Sequence, residues 1–422
     1  MNNFFAGIDL GTSGCRIVII DSDKAVHISH SIRYAKGAKQ STTLWWHAVT
    51  QLLSQLPKEA KNNLRTLAVD GTSGSILLTD SQGESNSSVL MYNDLRATQE
   101  AELIKQVMPQ ENGGQGASGS LARLLWLLKH EPNNKHVSAV HQADYILGKL
   151  VNNFTLSDEN NCLKLGYDVI NQRWLEDELN ELGIDCSLLP KVYPAGTVVS
   201  QIDHKQAELL GLPKSLKLVA GTTDSIAAFI ATEADKVGDG VTSLGSTLVL
   251  KLVSDKPIFS SSHGIYSHRL NNQWLVGGAS NSGAKVLQHY FSQREIDELT
   301  TQLSPDKSTG LNYYPLIGIG ERFPIADVTK QGKLSPKPKQ DSEFFQGILE
   351  GIASIEAQGY QKLVELGASS LTSVRSVGGG SKNKAWTQIR SSHLKIDMIT
   401  PKQTEAAFGS ALLALKGYNS GD

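Results

Sequence analysis

Two apolar runs near the start of the chain flank a short polar turn, and this pattern predicts a strand, a tight turn and a second strand over residues 4–21. The turn contains two glycines, Thr12 and Ser13, and Asp9 ends the first strand. Glycine permits backbone angles closed to other residues, so successive N–H groups can converge on an anion while the hydroxyls add donors. The pattern is therefore that of a phosphate-binding turn in which Asp9 can hold Mg²⁺. A hairpin with an ordinary glycine turn is the alternative.

A second copy of this pattern lies in the other half of the chain. Residues 240–252 again place Leu-Gly and two hydroxyl residues between apolar runs, with Ser243 where the first copy has Asp9. Two related units in two halves of one chain predict a duplicated fold, with two phosphate-facing turns that meet across a cleft.

Further strands run into small-residue turns. The strand at 64–70 leads into the hydroxyl-bearing turn 71–75, and the strand at 216–220 leads directly to Asp224 at the start of a helix. The helix dipole favours an ionised carboxylate there, placed to accept a hydroxyl proton, although Asp224 could equally be a helix cap and nothing more. Asp94 and Arg96 end another strand, where they could bond sugar hydroxyls or simply pair with each other.

The strand at 374–377 enters a triple-glycine turn that opens a helix. Such a turn lets a flat ligand or its phosphates approach the backbone, and the helix N-terminus adds favourable potential for anions.

The remaining apolar periodicity predicts several helices and one surface connection. These are an amphipathic helix opened by Ser41, a helix over 118–130 capped by Ser118 or Ser120, an exposed connection over 188–196, a long helix over 342–366 whose glycines indicate close packing, and a last helix capped by Thr404.

Composition sets limits on these interpretations. A chain of 422 residues exceeds one hydrophobic core, so two domains are expected, and the 40% hydrophobic and 19% charged contents describe an ordinary globular protein. The net charge of -2 gives no footprint for nucleic acid. Three widely spaced cysteines argue against disulfides and zinc and favour a reducing cytosol. Without a signal or membrane-spanning pattern, we expect a cytoplasmic protein, or a stromal one if a plastid transit peptide precedes it, as a monomer or homodimer.

As an ordered set, the motifs resemble those of the FGGY family of carbohydrate kinases. The matching segments are residues 7–13, 221–224, 243–247 and 378–383 with Trp386, and residues 318–324 and 405–414 echo two more. The resemblance implies an α/β, actin-like (ribonuclease H-like) duplicated fold with two domains around a central cleft. Residues 1–229 would form the sugar-binding and catalytic domain, with the C-terminal helix 404–422 packed back on it, and residues 230–403 the nucleotide-binding domain.

The same resemblance implies a phosphotransferase with an alcohol acceptor that uses ATP and Mg²⁺. Asp224 would be the general base toward the sugar, and Asp9 would organise Mg²⁺ and line the sugar pocket with Ser73 and Asp224. The nucleotide would be held by Thr12, Ser13, Gly245, Ser246 and Thr247 at its triphosphate and by Gly379, Gly380, Asn383 and Trp386 at its adenosine.

Two departures from the family pattern refine the expected substrate. The chain is shorter than the usual members, and it has Gly-Thr-Ser-Gly-Ser at 71–75 where xylulose kinases carry a Gln-Met-His segment. In both respects it resembles the compact D-ribulose kinases of cyanobacteria and plants. We therefore expect phosphorylation of D-ribulose to D-ribulose 5-phosphate. The alternatives are a D-xylulose or other polyol kinase, or a nucleotide-driven binding protein of the actin or chaperone type.

Overall fold

The computed structural model describes residues 3–85, 87–117, 119–133 and 135–420, and the chain divides into two compact units. The first unit is Met1–Thr232 together with Gln403–Asp422, and the second is Glu233–Lys402. The chain thus returns to the first unit for its last helix.

Each unit is built on one six-stranded sheet with helices. The strands are β1 (Phe4–Leu10), β2 (Gly14–Ile20), β3 (Val26–Arg33), β4 (Leu64–Gly71), β5 (Ile76–Thr79), β6 (Ser138–His141), β7 (Leu156–Asp158), β8 (Lys191–Tyr193), β9 (Val198–Gln201), β10 (Lys217–Thr223), β11 (Asp239–Leu244), β12 (Leu248–Ser254), β13 (His268–Leu270), β14 (Gln273–Ser280), β15 (Ser373–Val377) and β16 (Asp397–Ile399).

The helices cover the sheets and connect their strands. They are α1 (Thr42–Ser54), α2 (Lys58–Asn63), α3 (Thr98–Val107), α4 (Ser120–His130), α5 (Gln142–Val151), α6 (Glu159–Leu163), α7 (Glu176–Glu181), α8 (His204–Leu210), α9 (Asp224–Ala231), α10 (Ala284–Tyr290), α11 (Gln293–Thr300), α12 (Asp341–Glu365), α13 (Lys384–Leu394) and α14 (Ala406–Asn419), with short 3₁₀ helices at Cys186–Leu188, Ser261–His263 and Gly379–Lys382.

The two large sheets repeat the same arrangement. In the first unit the order is β3-β2-β1-β4-β10-β9, and in the second it is β13-β14-β12-β11-β15-β16. Five strands correspond: an antiparallel hairpin (β1 with β2, β11 with β12) is extended on one side by an antiparallel strand (β3, β14) and on the other by two parallel strands (β4 and β10, β15 and β16). The sixth strand is antiparallel in both sheets but lies at opposite edges, β9 beside β10 in the first and β13 beside β14 in the second. The duplicated α/β fold predicted from the two matching turns is therefore confirmed.

The last helix packs against the middle of the first sheet. A Cβ atom at Gly7 of β1 would collide with the backbone of Ala407 and Ala411 in α14, and one at Gly409 would collide with the backbone of Ala227 in α9. Only glycine, which has no Cβ atom, lets these backbone segments approach each other so closely. Helix α14 thereby holds β1 and α9, the two elements that carry Asp9 and Asp224, on one packed face.

Several local predictions agree with the structure. Ser41 caps α1 by accepting a hydrogen bond from the N–H of Leu44, and Trp45 of that helix is fully buried. The glycines of α12 do mark close packing, since a Cβ at Gly359 would crowd Leu250 and Phe323.

Other local predictions are wrong. Helix α4 has Gly119 at its N-cap and Ser120 inside it, while Ser118 lies outside the described residues, and α14 starts after Glu405 without a side-chain cap from Thr404. The expected surface connection over 188–196 contains β8, which pairs in parallel with β7. The pairing of β8 is a contact with a distant segment, which the local sequence does not reveal.

Candidate functional site

Three carboxyl groups converge at the C-terminal ends of the central strands of the first unit. Asp9 on β1 lies opposite Asp70 on the parallel strand β4, and Asp70 lies opposite Thr222 on β10. Asp224 follows β10 directly, as the first residue of α9. The strand registers therefore bring together two carboxylates predicted from sequence and one that was not.

Asp70 is completely buried, and its environment disfavours the charged form of its carboxyl. Burial, together with the negative charge of Asp9, raises the pKa of Asp70 well above its ordinary value. Its Oδ2 accepts a hydrogen bond from Ser410 Oγ at 2.6 Å, whereas Oδ1 has no partner among the described residues. A proton on Oδ1 would let this buried atom donate toward Asp9.

Asp9 is the partly exposed member of this pair. Burial, reinforced by the charge of Asp224, raises the pKa of Asp9 above its ordinary value, although the neighbouring Asp70 carboxyl and the cation of Arg16 act in the opposite direction. Arg16 lies opposite Asp9 on β2 and forms an ion pair with Glu405. Asp9 is thus a partly exposed carboxyl at the ends of the strands, an oxygen ligand of the kind that divalent cations take.

The donor set fits Mg²⁺ that is shared with a phosphate. Among the described residues, no group of three or more His, Cys, Asp or Glu side chains could hold a metal. Mg²⁺ usually takes only one or two carboxylates and fills its remaining positions with water and substrate phosphates. Asp9 can supply that single carboxylate, so the residues are compatible with a metal that arrives with the nucleotide.

Asp224, the predicted general base, is the first residue of α9. It is partly exposed, and its Oδ1 receives the N–H of the next residue, Ser225, at 2.6 Å. Thr223 occupies the N-cap position, so Asp224 lies in the first turn of α9, where the helix dipole stabilises its charged form. The reading of Asp224 as the helix cap is therefore wrong.

Ser73 lies on a turn that is held in place by hydrogen bonds to side chains of α4 and α5. Thr72 donates through its N–H and its hydroxyl to Gln142 Oε1, at 2.9 and 2.6 Å, and the buried Arg123 donates to the carbonyl of Gly74 at 2.8 Å. Ser73 is half-buried between these fixed neighbours. The turn thus presents one hydroxyl from a rigid backbone.

Thr12 and Ser13 are exposed at the tip of the first hairpin. The turn is closed by a hydrogen bond from the N–H of Gly11 to the carbonyl of Gly14 at 2.9 Å, and Gln40 donates to the carbonyl of Thr12 at 3.0 Å. Both predicted phosphate-binding side chains therefore project from a fixed turn.

Arg96 pairs with Asp94, at 2.9 and 2.8 Å, and stacks over Trp126. The sequence left open whether Asp94 and Arg96 bond sugar hydroxyls or pair with each other, and in the structure they pair with each other.

The second unit contains a cavity of about 640 Å³, a volume within the usual range for ligand sites. All residues predicted for the nucleotide in this unit line it except Thr247, which lies beside the lining residue Ser246. Further lining residues that sequence reasoning missed are Leu287, Gln288, Gln293, Ile296, Asp297, Thr300 and Phe345. Apolar walls with a few polar groups and two glycine turns suit a nucleotide.

Trp386 and Asn383 line this cavity and also support its triple-glycine turn. Trp386 is only 2% exposed and donates its indole N–H to the carbonyl of Leu349 at 3.1 Å. A Cβ at Gly380 would lie 2.5 Å from the indole ring, so the glycine turn rests directly on it. Asn383 accepts the N–H of Trp386 at 2.9 Å as the N-cap of α13 and donates to Thr300 Oγ1 at 3.2 Å. Both side chains thus support the turn.

The residue that sequence reasoning missed most directly is Asp70. The signal was present, because Asp70 is followed within four positions by Gly, Thr, Ser and Gly, much as Asp9 is. Gln142 and the α11 side chains carried no comparable pattern.

No helix in the described part of the chain has the length and apolar character needed to span a bilayer. The three cysteines, Cys15, Cys162 and Cys186, are free.

Family models match both units. The N-terminal domain of the FGGY family of carbohydrate kinases matches residues 4–231, and the C-terminal domain of that family matches residues 240–418.

Individual relatives are distant but match along nearly the whole chain. A xylulose kinase of Staphylococcus xylosus is 22% identical over 98% of this chain and 91% of its own length, and one of Bacillus subtilis is 25% identical over 98% and 88%. A Bacillus subtilis gluconokinase is 22% identical over 98% of this chain and 88% of its own.

Solved structures share the fold. A gluconate kinase from Lactobacillus acidophilus superposes with a TM-score of 0.86 at 18% identity, covering 100% of this chain and 90% of that one. A ligand-bound xylulose kinase from the same organism gives 0.85 at 18% identity, with the same coverage. The predicted actin-like, two-domain α/β fold is thus confirmed.

Proposed function

Because the chain belongs to the FGGY family of carbohydrate kinases and is therefore a phosphotransferase with an alcohol acceptor, we propose that it transfers the γ-phosphoryl group of ATP to the terminal hydroxyl of a ketopentose. D-Ribulose is the first candidate, with D-ribulose 5-phosphate as the product. The observation that carries this choice is the turn after β4, which offers the hydroxyl of Ser73 and no imidazole.

D-Xylulose is the second candidate, and it is favoured by a different observation. Relatives that match nearly the whole chain are named xylulose kinases. At identities of 22% and 25%, the lining of a sugar pocket can differ between relatives while the fold and the reaction type persist.

In the proposed reaction the first unit holds the sugar and the second holds the nucleotide. Asp224 accepts the proton of the sugar hydroxyl while the hydroxyl oxygen forms a bond to the γ-phosphorus. The bond between that phosphorus and the β–γ bridging oxygen breaks, and ADP leaves with the electron pair. Since such transfers depend on positioning and charge neutralisation, an ordinary ionised carboxylate suffices as the base.

The other predicted residues orient the reactants. Asp9 and Ser73 hold sugar hydroxyls, and Asp9 also orients Mg²⁺, which when bound neutralises phosphate charge. The glycine turns at Gly245 and Gly379 hold the nucleotide through the backbone. A cytoplasmic location and Mg²⁺ as the metal belong to the same proposal.

The test is sugar-dependent ADP release by the purified protein with Mg-ATP. D-Ribulose, D-xylulose, D-gluconate and glycerol are compared by kcat/KM. We expect D-ribulose to lead, whereas a clear preference for D-xylulose would overturn the sugar assignment and leave the kinase assignment intact. ATP turnover that ignores every sugar and responds to unfolded polypeptide would support a nucleotide-driven binding protein instead.

A further inference from the structure

A buried ion pair lies beneath the cavity of the second unit. Glu356 on α12 and Arg390 on α13 are both fully buried, and two parallel hydrogen bonds of 2.6 Å join them, from Nε to Oε2 and from Nη2 to Oε1. This fork fixes the orientation as well as the distance of the two side chains.

The same pair is bonded to two adjacent strands. Thr242 on β11 donates its hydroxyl to Glu356 Oε1 at 2.5 Å, and Arg390 Nη1 donates to Ser376 Oγ on β15 at 2.7 Å. Thr242 and Ser376 lie directly opposite one another in the parallel pairing of β11 with β15. The ion pair therefore fixes the position of β11 relative to β15 at the Thr242–Ser376 pair.

These two strands carry the two turns that line the cavity. Strand β11 ends at Leu244 and continues into Gly245 and Ser246, while β15 ends at Val377 and continues into the triple-glycine turn. Arg390 also lies one helical turn after Trp386, the residue on which that glycine turn rests. Two turns and one helix are thus connected through one pair of charges.

We propose that the Glu356–Arg390 pair positions the two glycine turns for nucleotide binding, an inference that rests on the proposed nucleotide site in this cavity. Burying two charges is rarely the most stabilising choice for a core, since apolar residues of similar volume often do as well or better. This pair connects, with fixed hydrogen-bond geometry, two strands whose turns must be aligned to hold one ligand. Neither residue lines the cavity, so both act through the turns.

The decisive variant is Thr242→Val, which keeps the shape of the side chain and the ion pair but removes the hydroxyl that connects β11 to Glu356 and that also bonds to the hydroxyl of Tyr360. We expect the KM for ATP and the calorimetric Kd for ADP to rise about 3- to 10-fold, with kcat and the sugar KM within about twofold of wild type. Thr242→Ser, which restores a hydroxyl, should restore nucleotide affinity. Ser376→Ala removes the connection to β15 and should reproduce the loss.

Ser254→Ala is the matched control. Ser254 is equally buried in the same sheet and bonds to Ser369, but it lies at the end of β12 that is remote from the turns. It should lower the melting temperature as Thr242→Val does without changing nucleotide affinity.

The outcomes distinguish a failure of this inference from a failure of the proposed function. If the wild type binds ADP but Thr242→Val and Ser254→Ala affect nucleotide affinity equally, or neither does, the pair is only structural and the inference is overturned. If the wild-type protein neither binds ADP nor turns over ATP, the proposed function falls and the inference with it.

Discussion

Asp70 lies opposite Asp9 on the neighbouring parallel strand, fully buried and held by Ser410, and burial together with the charge of Asp9 raises the pKa of Asp70 well above its ordinary value. Nothing in the local sequence around Asp9 reveals this partner, which comes from a strand about sixty positions later in the chain. The pairing leads to the first prediction.

Asp70→Asn should be tolerated, because a carboxamide has the shape of a protonated carboxyl and can both accept from Ser410 and donate toward Asp9. We expect kcat/KM for the sugar to stay within about fivefold, whereas Asp70→Val, which loses both hydrogen bonds, should cost about tenfold or more. Steady-state kinetics of both variants checks this. A larger loss for Asn than for Val would show that Asp70 acts as an anion.

Asp224→Ala should lower kcat about 10²- to 10⁴-fold, because it removes the proposed proton acceptor. Nucleotide binding by the second unit should persist, which titration calorimetry with ADP measures. Asp203→Asn is the matched control, since Asp203 is another carboxylate at a helix start in the same unit and caps α8 through the N–H of Gln206. Retained turnover in Asp224→Ala would remove this residue from the role of base.

Gly380→Ala should weaken nucleotide binding, because a Cβ there would meet the indole of Trp386 at 2.5 Å and push the turn into the cavity. The free-energy cost of such overpacking is large enough to raise the KM for ATP about tenfold. The KM for the sugar should change little. Gly318→Ala serves as the control, since a Cβ at that position meets nothing within 4 Å. Equal effects of the two substitutions would contradict the steric argument.

Asp158 should make stability fall as the pH rises. Burial, reinforced by the charge of Asp144, raises the pKa of Asp158 from 3.8 to about 8. Between these values the folded carboxyl keeps a proton that the unfolded chain releases, so the unfolding free energy declines from about pH 4 towards pH 8.

Asp158→Asn should reduce that slope, leaving the part that Asp70 contributes with the same sign. The carboxamide introduced at this position can accept hydrogen bonds from the same N–H groups of Asn160 and Asn161. If the Asn161 amide rotates, its Oδ1, which has no partner at present, can accept a hydrogen bond from the new carboxamide N–H. At pH 8 we expect a melting temperature higher by ~2–4 °C, read by calorimetry. Asp185→Asn, at an exposed carboxylate whose pKa is lowered by the N–H of Ser187, should leave the slope between pH 4 and 8 intact. A slope of unchanged size in Asp158→Asn would rule out this carboxyl as a contributor to it.

The sequence by itself determined the features that depend on a few neighbouring residues. The glycine turns after β1, β11 and β15, the position of Asp224 at a helix start and the duplication of the hairpin are all local patterns, because glycine angles, apolar alternation and helix dipoles act over one or two turns of chain. Tertiary structure decided the rest. The pairing of Asp70 with Asp9, the brace of Gln142 under Thr72, the α11 wall of the cavity and the support of Gly380 by Trp386 arise from strand register and packing between distant segments. Such contacts are selected by the burial of the whole core, which no short window of sequence records.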